Sequence, residues 1–221
     1  MKPMKRIALF SLLLALALPV RAHEEVAAND MAAAANDLID TLTPEQKAAS
    51  VYPMTHDHRL DWHFVPKDRK GTTLKEMTPE QRHLTTALLA ASLSSQGLMK
   101  VSSIMSLEAI LAALEGPNRR FPRDPELYHI SIFGEPGPGK TWAWRFEGHH
   151  LSLSFTVVKG QHISATPSFM GTNPDIVMDG PRKGLQVLAE EENLGLELAN
   201  SLTATQKSKA IFSDKAPADI L

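Results

Sequence analysis

The chain has 221 residues, a formal net charge of −2 and no cysteine. The lack of cysteine excludes disulfides, thiolate metal sites, a cysteine nucleophile and a lipid-modified cysteine. A nucleic-acid partner or an anionic membrane surface is not expected, because binding to either normally requires a basic protein surface.

The N-terminus predicts a secretory signal peptide over residues 1–22. Basic residues precede an apolar run from Ile7 to Val20, and Val20-Arg21-Ala22 places small residues three and one before a cut. The run is shorter than the roughly 20 residues that span a bilayer, so no membrane span is expected after cleavage. We therefore predict a periplasmic or secreted protein with a single α+β domain over residues 23–221.

Helical patterns occupy the first half of the mature chain, which starts with an Ala-rich segment. Thr43-Pro44-Glu45-Gln46 and Thr78-Pro79-Glu80-Gln81 each combine an N-cap, a first-turn proline and a capping-box partner. Apolar residues at helical spacing follow Thr78, with Gly97 as the expected stop, and a second run from Leu107 ends at Gly116-Pro117. These runs predict a helical hairpin.

Strand-like segments follow at residues 128–133, 142–146, 151–158 and 162–166, separated by connections rich in glycine and proline. Their short connections favour an antiparallel meander. Residues 181–210 are expected to return to helix. The sequence thus predicts an α+β fold, in which an antiparallel β meander packs against helical hairpins.

Residues Gly134 to Thr141, GEPGPGKT, match the phosphate-loop pattern at every required position. Such a loop needs a helix after it, but Lys140-Thr141 lead into an alternating apolar and polar segment that is typical of a strand. Pro136 and Pro138 also lack the amide hydrogens that the loop would donate. We therefore predict a hairpin turn here, and no ATP is expected.

The stretch from Trp142 to Phe155 carries the most informative irregularity. Bulky apolar residues occupy even positions before Gly148 and odd positions after it. A bulge or tight bend at Gly148-His149-His150 would explain this shift, and bulges often lie beside functional sites. The predicted metal ligands are therefore His149 and His150, with Glu147 beside them and Arg145 as a ligand-binding or bracing residue.

A second polar cluster holds weaker metal candidates. His56 and His58 share a face of an extended chain, whereas His63 falls on the other side. These histidines are equally compatible with hydrogen-bonded core or loop positions. Arg123-Asp124 could bind a carboxylate or brace the site. His23, if cleavage exposes its amine, could help to chelate copper.

Several of these motifs together resemble a bacterial secreted family, the domain of unknown function 3500. The similarity runs through Trp62-His63-Phe64-Val65-Pro66, Arg123-Asp124-Pro125, the segment from Trp142 to Ser152, and Pro167 to Pro174. The family implies no established activity. It does imply a longer chain with a further His-x-His beyond Ala218–Leu221, so this chain would be a truncated member with half of a site.

Two hypotheses on function remain open. In the first, an exported protein uses the histidines to bind a divalent metal ion, zinc or copper, or a small polar ligand, as a metal-dependent hydrolase or redox protein. In the alternative, it is a non-catalytic envelope binding or structural protein without metal. They differ in whether the histidines converge on one cavity.

Overall fold

The computed structural model describes residues 24–215. The expected signal peptide, His23 and Ala218–Leu221 lie outside the described residues. Contacts divide the chain into two compact units, Met1–Pro174 and Asp175–Leu221. The single domain expected over residues 23–221 stays a prediction.

Four helices precede the main strands of the first unit: α1 (24–41), α2 (Pro44–Ser50), α3 (Pro79–Ser92) and α4 (Ser95–Glu115). Both predicted capping boxes are confirmed, at Thr43 and Thr78. The expected stop at Gly97 is wrong. Gly97 lies in the first turn of α4, because Ser94 caps that helix and accepts a hydrogen bond from the Gly97 amide.

Seven strands form one mixed sheet in the described part of the chain: β1 (Val51–Tyr52), β2 (Thr72–Thr73), β3 (His129–Phe133), β4 (Trp142–Gly148), β5 (Leu151–Val158), β6 (His162–Ser164) and β7 (Ser168–Met170). Strands β3 to β6 are antiparallel neighbours in chain order, which confirms the predicted meander. β1 runs parallel to β3, whereas β2 pairs with β3 and β7 with β5 in antiparallel fashion. The α+β class is confirmed, and the segment 134–141 connects β3 to β4 as predicted.

Every residue of β4 is buried, so both faces of the sheet are covered at this strand. One face is apolar and carries Trp142, Trp144 and Phe146, and Phe146 lines a groove between α3 and α4. The other face is polar and carries Arg145 and Glu147. The segment 53–71, which includes a 3-10 helix at Asp57–Leu60, lies over this polar face and hydrogen-bonds to it.

Helix α4 is long and apolar enough to cross a membrane by length and composition, and it is the one such helix among residues 24–215. A core helix of a soluble protein meets the same criterion. α4 contacts α3, β5 and β7, and it buries Glu108 together with Val101, Ile104, Leu107 and Leu111. This packing buries one face of the helix, whereas Met99 and Leu114 on it are exposed.

The second unit contains α5 (Ala189–Ser201) and α6 (Ala204–Ala210), with a bridge between Ile176 and Gln186. Helix was expected from residue 181, but α5 begins at Ala189. Gly180 and Gly184 have positive φ angles of 79° and 88°, so the backbone turns there instead. Thr203 caps α6 with a third capping box.

Gly148→Ala will destabilise the first unit. The new methyl group would lie 2.4 Å from Cδ1 of the buried Tyr128 ring, and overpacking of this kind costs about 1–3 kcal/mol. Urea denaturation monitored by circular dichroism measures the effect. Gly97→Ala is the matched control, since its nearest new contact is an ordinary 3.4 Å, and it should not lower stability. Equal free energies of unfolding for Gly148→Ala and the wild type would contradict the prediction.

Candidate functional site

His149 and His150 form the two-residue turn between β4 and β5, whose last pair is Gly148 with Leu151. This turn sets even-numbered residues of β4 opposite odd-numbered residues of β5, as in the pair of Trp144 with Phe155. The tight bend predicted from the shift in pattern is therefore confirmed. No bulge is needed to explain the shift, because the chain reverses at the turn.

Neighbouring segments hold this turn on several sides. His150 has a φ angle of 59°, a conformation that costs an L-residue about 1–2 kcal/mol. Its amide donates to the Phe64 carbonyl at 2.9 Å, and its own carbonyl accepts from the Gly171 amide at 2.8 Å. The Tyr128 hydroxyl donates to the His149 carbonyl at 2.9 Å. These bonds offset the strain and hold the backbone of the turn in place.

His149 is paired with a carboxylate from helix α4. Its Nδ1 lies 2.6 Å from Oε1 of Glu108, which is 4% exposed. An ionised carboxylate only accepts hydrogen bonds, so the pair is made when His149 carries a proton on Nδ1. Arg123 approaches the same nitrogen at 3.4 Å and is itself held by two bonds to Glu115. The carboxylate therefore sets the tautomer and orientation of His149.

A cleft of about 270 Å³ opens beside this pair. His149, Glu108 and Tyr128 line it together with a second histidine, His129, which begins β3. The Nδ1 atom of His129 lies 3.3 Å from the Gly71 carbonyl, and burial lowers the pKa of this imidazole. The remaining lining residues are Pro66, Lys67, Asp68, Arg69, Phe121, Pro122, Asp124 and Leu127.

His150 lies next to His149, with ring centroids 4.1 Å apart and ring planes nearly perpendicular. Burial, assisted by the neighbouring His149 and Arg123, lowers the pKa of His150 to about 4. Its Nδ1 is buried and has no hydrogen-bond partner among the described residues. His150 is therefore neutral near pH 7, and it does not line the cleft.

Glu147 lies apart from the two histidines, between two arginines on the polar face. It accepts from Nε of Arg145 at 2.8 Å, and Nε of Arg69 lies 3.5 Å from its other oxygen. Arg145 also donates to the His58 carbonyl at 3.0 Å, and the His58 ring lies against the same guanidinium nitrogen. The structure thus places Glu147, Arg145 and His58 in one buried ionic network.

The other candidates lie in separate places. His56 accepts from the His58 amide as the cap of the 3-10 helix, and His63 pairs with Asp61 at 3.1 Å on the surface. Asp124 pairs with Lys75 at 2.7 Å. No group of three or more histidine, aspartate or glutamate side chains within residues 24–215 is arranged to hold a metal ion. The metal site itself stays a prediction.

Sequence reasoning missed Glu108 and His129. Glu108 is a charged residue within the most apolar helix, at a position three residues before the buried Leu111. That position on the inward face was a readable signal, because a buried charge requires a partner. His129 carried no such signal, since a histidine at the start of a strand is unremarkable in sequence.

Fold and site together define an α+β protein with a histidine–glutamate pair at the wall of a cleft. The chain belongs to the family described as protein of unknown function (DUF3500), whose model matches residues 24–221. No curated protein and no solved structure matches the chain.

Acidification from about pH 7 to about pH 4.5 will destabilise the fold, in part through His58. Burial, followed by the charge of Arg145, lowers the pKa of His58 to about 4, from 6.5 for an ordinary histidine. Between these values the unfolded chain binds more protons than the folded one. The stability due to neutral His58 is therefore complete above the unfolded pKa and is lost as the pH falls towards the folded pKa.

Guanidinium denaturation at the two pH values measures this loss. His58→Gln keeps a polar side chain but cannot titrate, so the variant should lose less stability than the wild type over the same interval. The double difference isolates His58 from the carboxylates that also titrate there. Equal losses in the two proteins would contradict the assignment.

Proposed function

We propose that this exported protein binds a small polar molecule in the cleft and that His149 is the general base of a hydrolytic reaction there. The observation that carries the proposal is the 2.6 Å contact between Nδ1 of His149 and the buried carboxylate of Glu108. Such a contact holds an imidazole in one tautomer. With the proton on Nδ1, the Nε2 atom of a neutral His149 has the free electron pair that a base requires.

The size of the cleft supports a small ligand. Its volume of about 270 Å³ lies just below the range of about 300–1,000 Å³ that is usual for ligand pockets. The lining mixes apolar side chains, such as Phe121 and Leu127, with the charged Lys67 and Asp68. A compact molecule with both polar and apolar parts suits this lining better than a polymer segment or a dinucleotide.

The proposed reaction uses groups that are already in place. His149 would remove a proton from water as the water oxygen attacks a carbonyl carbon, and the imidazolium would then give that proton to the leaving oxygen. Glu108 would stabilise the imidazolium without itself taking the proton. His129 also lines the cleft, and its lowered pKa keeps it neutral near pH 7, so it would act as a hydrogen-bonding group towards the ligand.

Hydrolysis of p-nitrophenyl acetate by the purified mature chain tests the proposal. General-base catalysis raises a reaction rate by about 10²–10⁴-fold, so His149→Ala should lower kcat by a factor in this range. Glu108→Gln should also lower kcat, and it should shift the pH profile of kcat/KM because the imidazole loses its carboxylate. The matched control is His162→Ala, since His162 pairs with Glu24 on the surface outside the cleft, and it should leave the rate unchanged.

The alternative, a non-catalytic binding or structural protein, predicts a different outcome. Hydrolysis would then be equal in the wild type and in His149→Ala. Circular dichroism must show that His149→Ala and Glu108→Gln remain folded before either conclusion is drawn. Equal rates in folded proteins would overturn the proposed general base.

A zinc or copper ion held by His149 and His150 is a separate prediction, and the metal content of the untagged protein measures it. His149→Ala/His150→Ala is the comparison variant. If the site exists, the wild type should hold close to one metal ion per chain, and the folded double variant should hold none. No metal in either protein would contradict the prediction.

A further inference from the structure

A second, smaller pocket lies on the polar face of the sheet and shares no lining residue with the cleft. Its volume is about 50 Å³. Ala143 and Arg145 of β4 form its floor, directly opposite Thr156 and Ser154 of β5. The 3-10 helix contributes Arg59 as a wall. Because the side chain of Ala143 is small, the volume of this pocket remains unfilled between the larger side chains around it.

The charged side chains that line this pocket are all positive. Among the described residues that line it, Arg59 and Arg145 are charged and none is acidic. Arg145 is 1% exposed and is already paired with Glu147. Arg59 donates from Nε to the Met54 carbonyl at 3.2 Å and forms no ion pair within residues 24–215. The positive charge of Arg59 is therefore left without a balancing carboxylate.

Hydroxyl groups contribute to the lining, together with the apolar residues Phe133, Trp144, Phe155 and Pro167. Ser154 and Thr156 are half-buried on the same face as Arg145, and Thr166 approaches from the connection between β6 and β7. Hydroxyls and guanidinium groups all donate hydrogen bonds, and arginine matches oxyanions with two parallel N–H groups. A donor-rich pocket without carboxylates thus favours an anion over a cation.

The volume limits the size of that anion. A single water needs about 10–15 Å³ on this measure, so the pocket admits several water molecules or one tetrahedral group. A ligand of nucleotide size would require several hundred Å³. The pocket is also open to solvent through the exposed Thr166 and Pro167, so a ligand can enter without unfolding of the sheet.

We propose that this pocket binds a small oxyanion, a phosphate or sulfate group, at a site distinct from the cleft. The group is either a free ion or the terminal group of a larger molecule that extends past Thr166 and Pro167. Arg59 supplies the uncompensated charge, Arg145 fixes the floor, and Ser154 and Thr156 donate hydrogen bonds. The site depends neither on His149 nor on the proposed hydrolytic reaction.

Calorimetric titration of the mature chain with inorganic phosphate tests the site. The wild type should show saturable binding with one phosphate per chain. Arg59→Gln should weaken it about tenfold or more, since a hydrogen bond to a charged group contributes about 1.5–3 kcal/mol. Arg119→Gln is the matched control. It makes the same change of charge at an exposed arginine that, among the described residues, hydrogen-bonds to the backbone carbonyls of Ala112 and Gly116 alone, and it should leave the affinity unchanged.

Ala143→Leu provides an independent test, because the larger side chain fills the pocket without changing the charge. It should abolish phosphate binding in a protein that circular dichroism shows to be folded. If this variant fails to fold, the comparison of Arg59→Gln with Arg119→Gln decides. No saturable binding by the wild type, or equal affinity in Arg59→Gln and the wild type, would overturn the proposal.

Phenyl phosphate distinguishes the two sources of the oxyanion. Binding as tight as that of inorganic phosphate would assign the pocket to the terminal group of a larger molecule. Binding of inorganic phosphate alone would assign it to the free ion. Both results support an oxyanion site. Arg59→Gln should weaken the binding of phenyl phosphate by the same factor as the binding of inorganic phosphate.

Discussion

The structure on the polar face of the sheet depends on the contacts of one buried group, the guanidinium of Arg145. A charge at 1% exposure persists in a fold only when its hydrogen bonds and its counter-charge are supplied. Glu147 supplies the charge from the same strand, and the 3-10 helix supplies the carbonyl of His58. These contacts hold the segment 53–71 against the polar face of the sheet. That segment in turn contributes the Phe64 carbonyl that holds the histidine turn and the residues 66–69 that line the cleft.

The two faces of the sheet have different tasks. The apolar face packs against helices and gains hydrophobic stabilisation from large buried side chains such as Trp142, Trp144 and Phe146. The polar face carries the ionic network and the arginine-lined pocket. The cleft lies at the end of β4, where Glu108 from the helical side reaches His149 from the sheet. Both layers therefore contribute to one site, and its geometry depends on how α4 packs.

Much of the fold was readable from sequence, since capping boxes and alternation are local signals. The boxes at Thr43 and Thr78 and the strand from Leu151 to Val158 appear as predicted. The strands β1, β2 and β7 were missed, because two or three residues are too few to show alternation. Gly97 was misread as a stop because glycine also occurs within a first helical turn.

The candidate site was only partly readable. The tight bend at His149-His150 was visible in the shift of parity, but the partner of His149 was not. Glu108 lies 41 positions earlier in the chain, and pairing over such a separation is set by tertiary packing rather than by local pattern. The assignment of Glu147 to the histidines followed from adjacency in sequence. In a strand, however, side chains alternate in direction, and Glu147 is directed to the arginines of the polar face instead.

The turn at His149-His150 also limits how such a site can vary. Both strands that it joins are buried on both faces over most of their length, and the apolar and ionic faces cannot be exchanged. Insertion or deletion of one residue in the turn would move each following side chain of β5 to the opposite face, if β4 kept its place. The number of residues in this turn is therefore constrained by the packing of β5, whereas the side chains around the cleft are not constrained in this way. If the cleft binds the ligand proposed above, substitutions on α4 or in residues 66–69 would alter its lining, while the hairpin that presents the imidazole keeps its length.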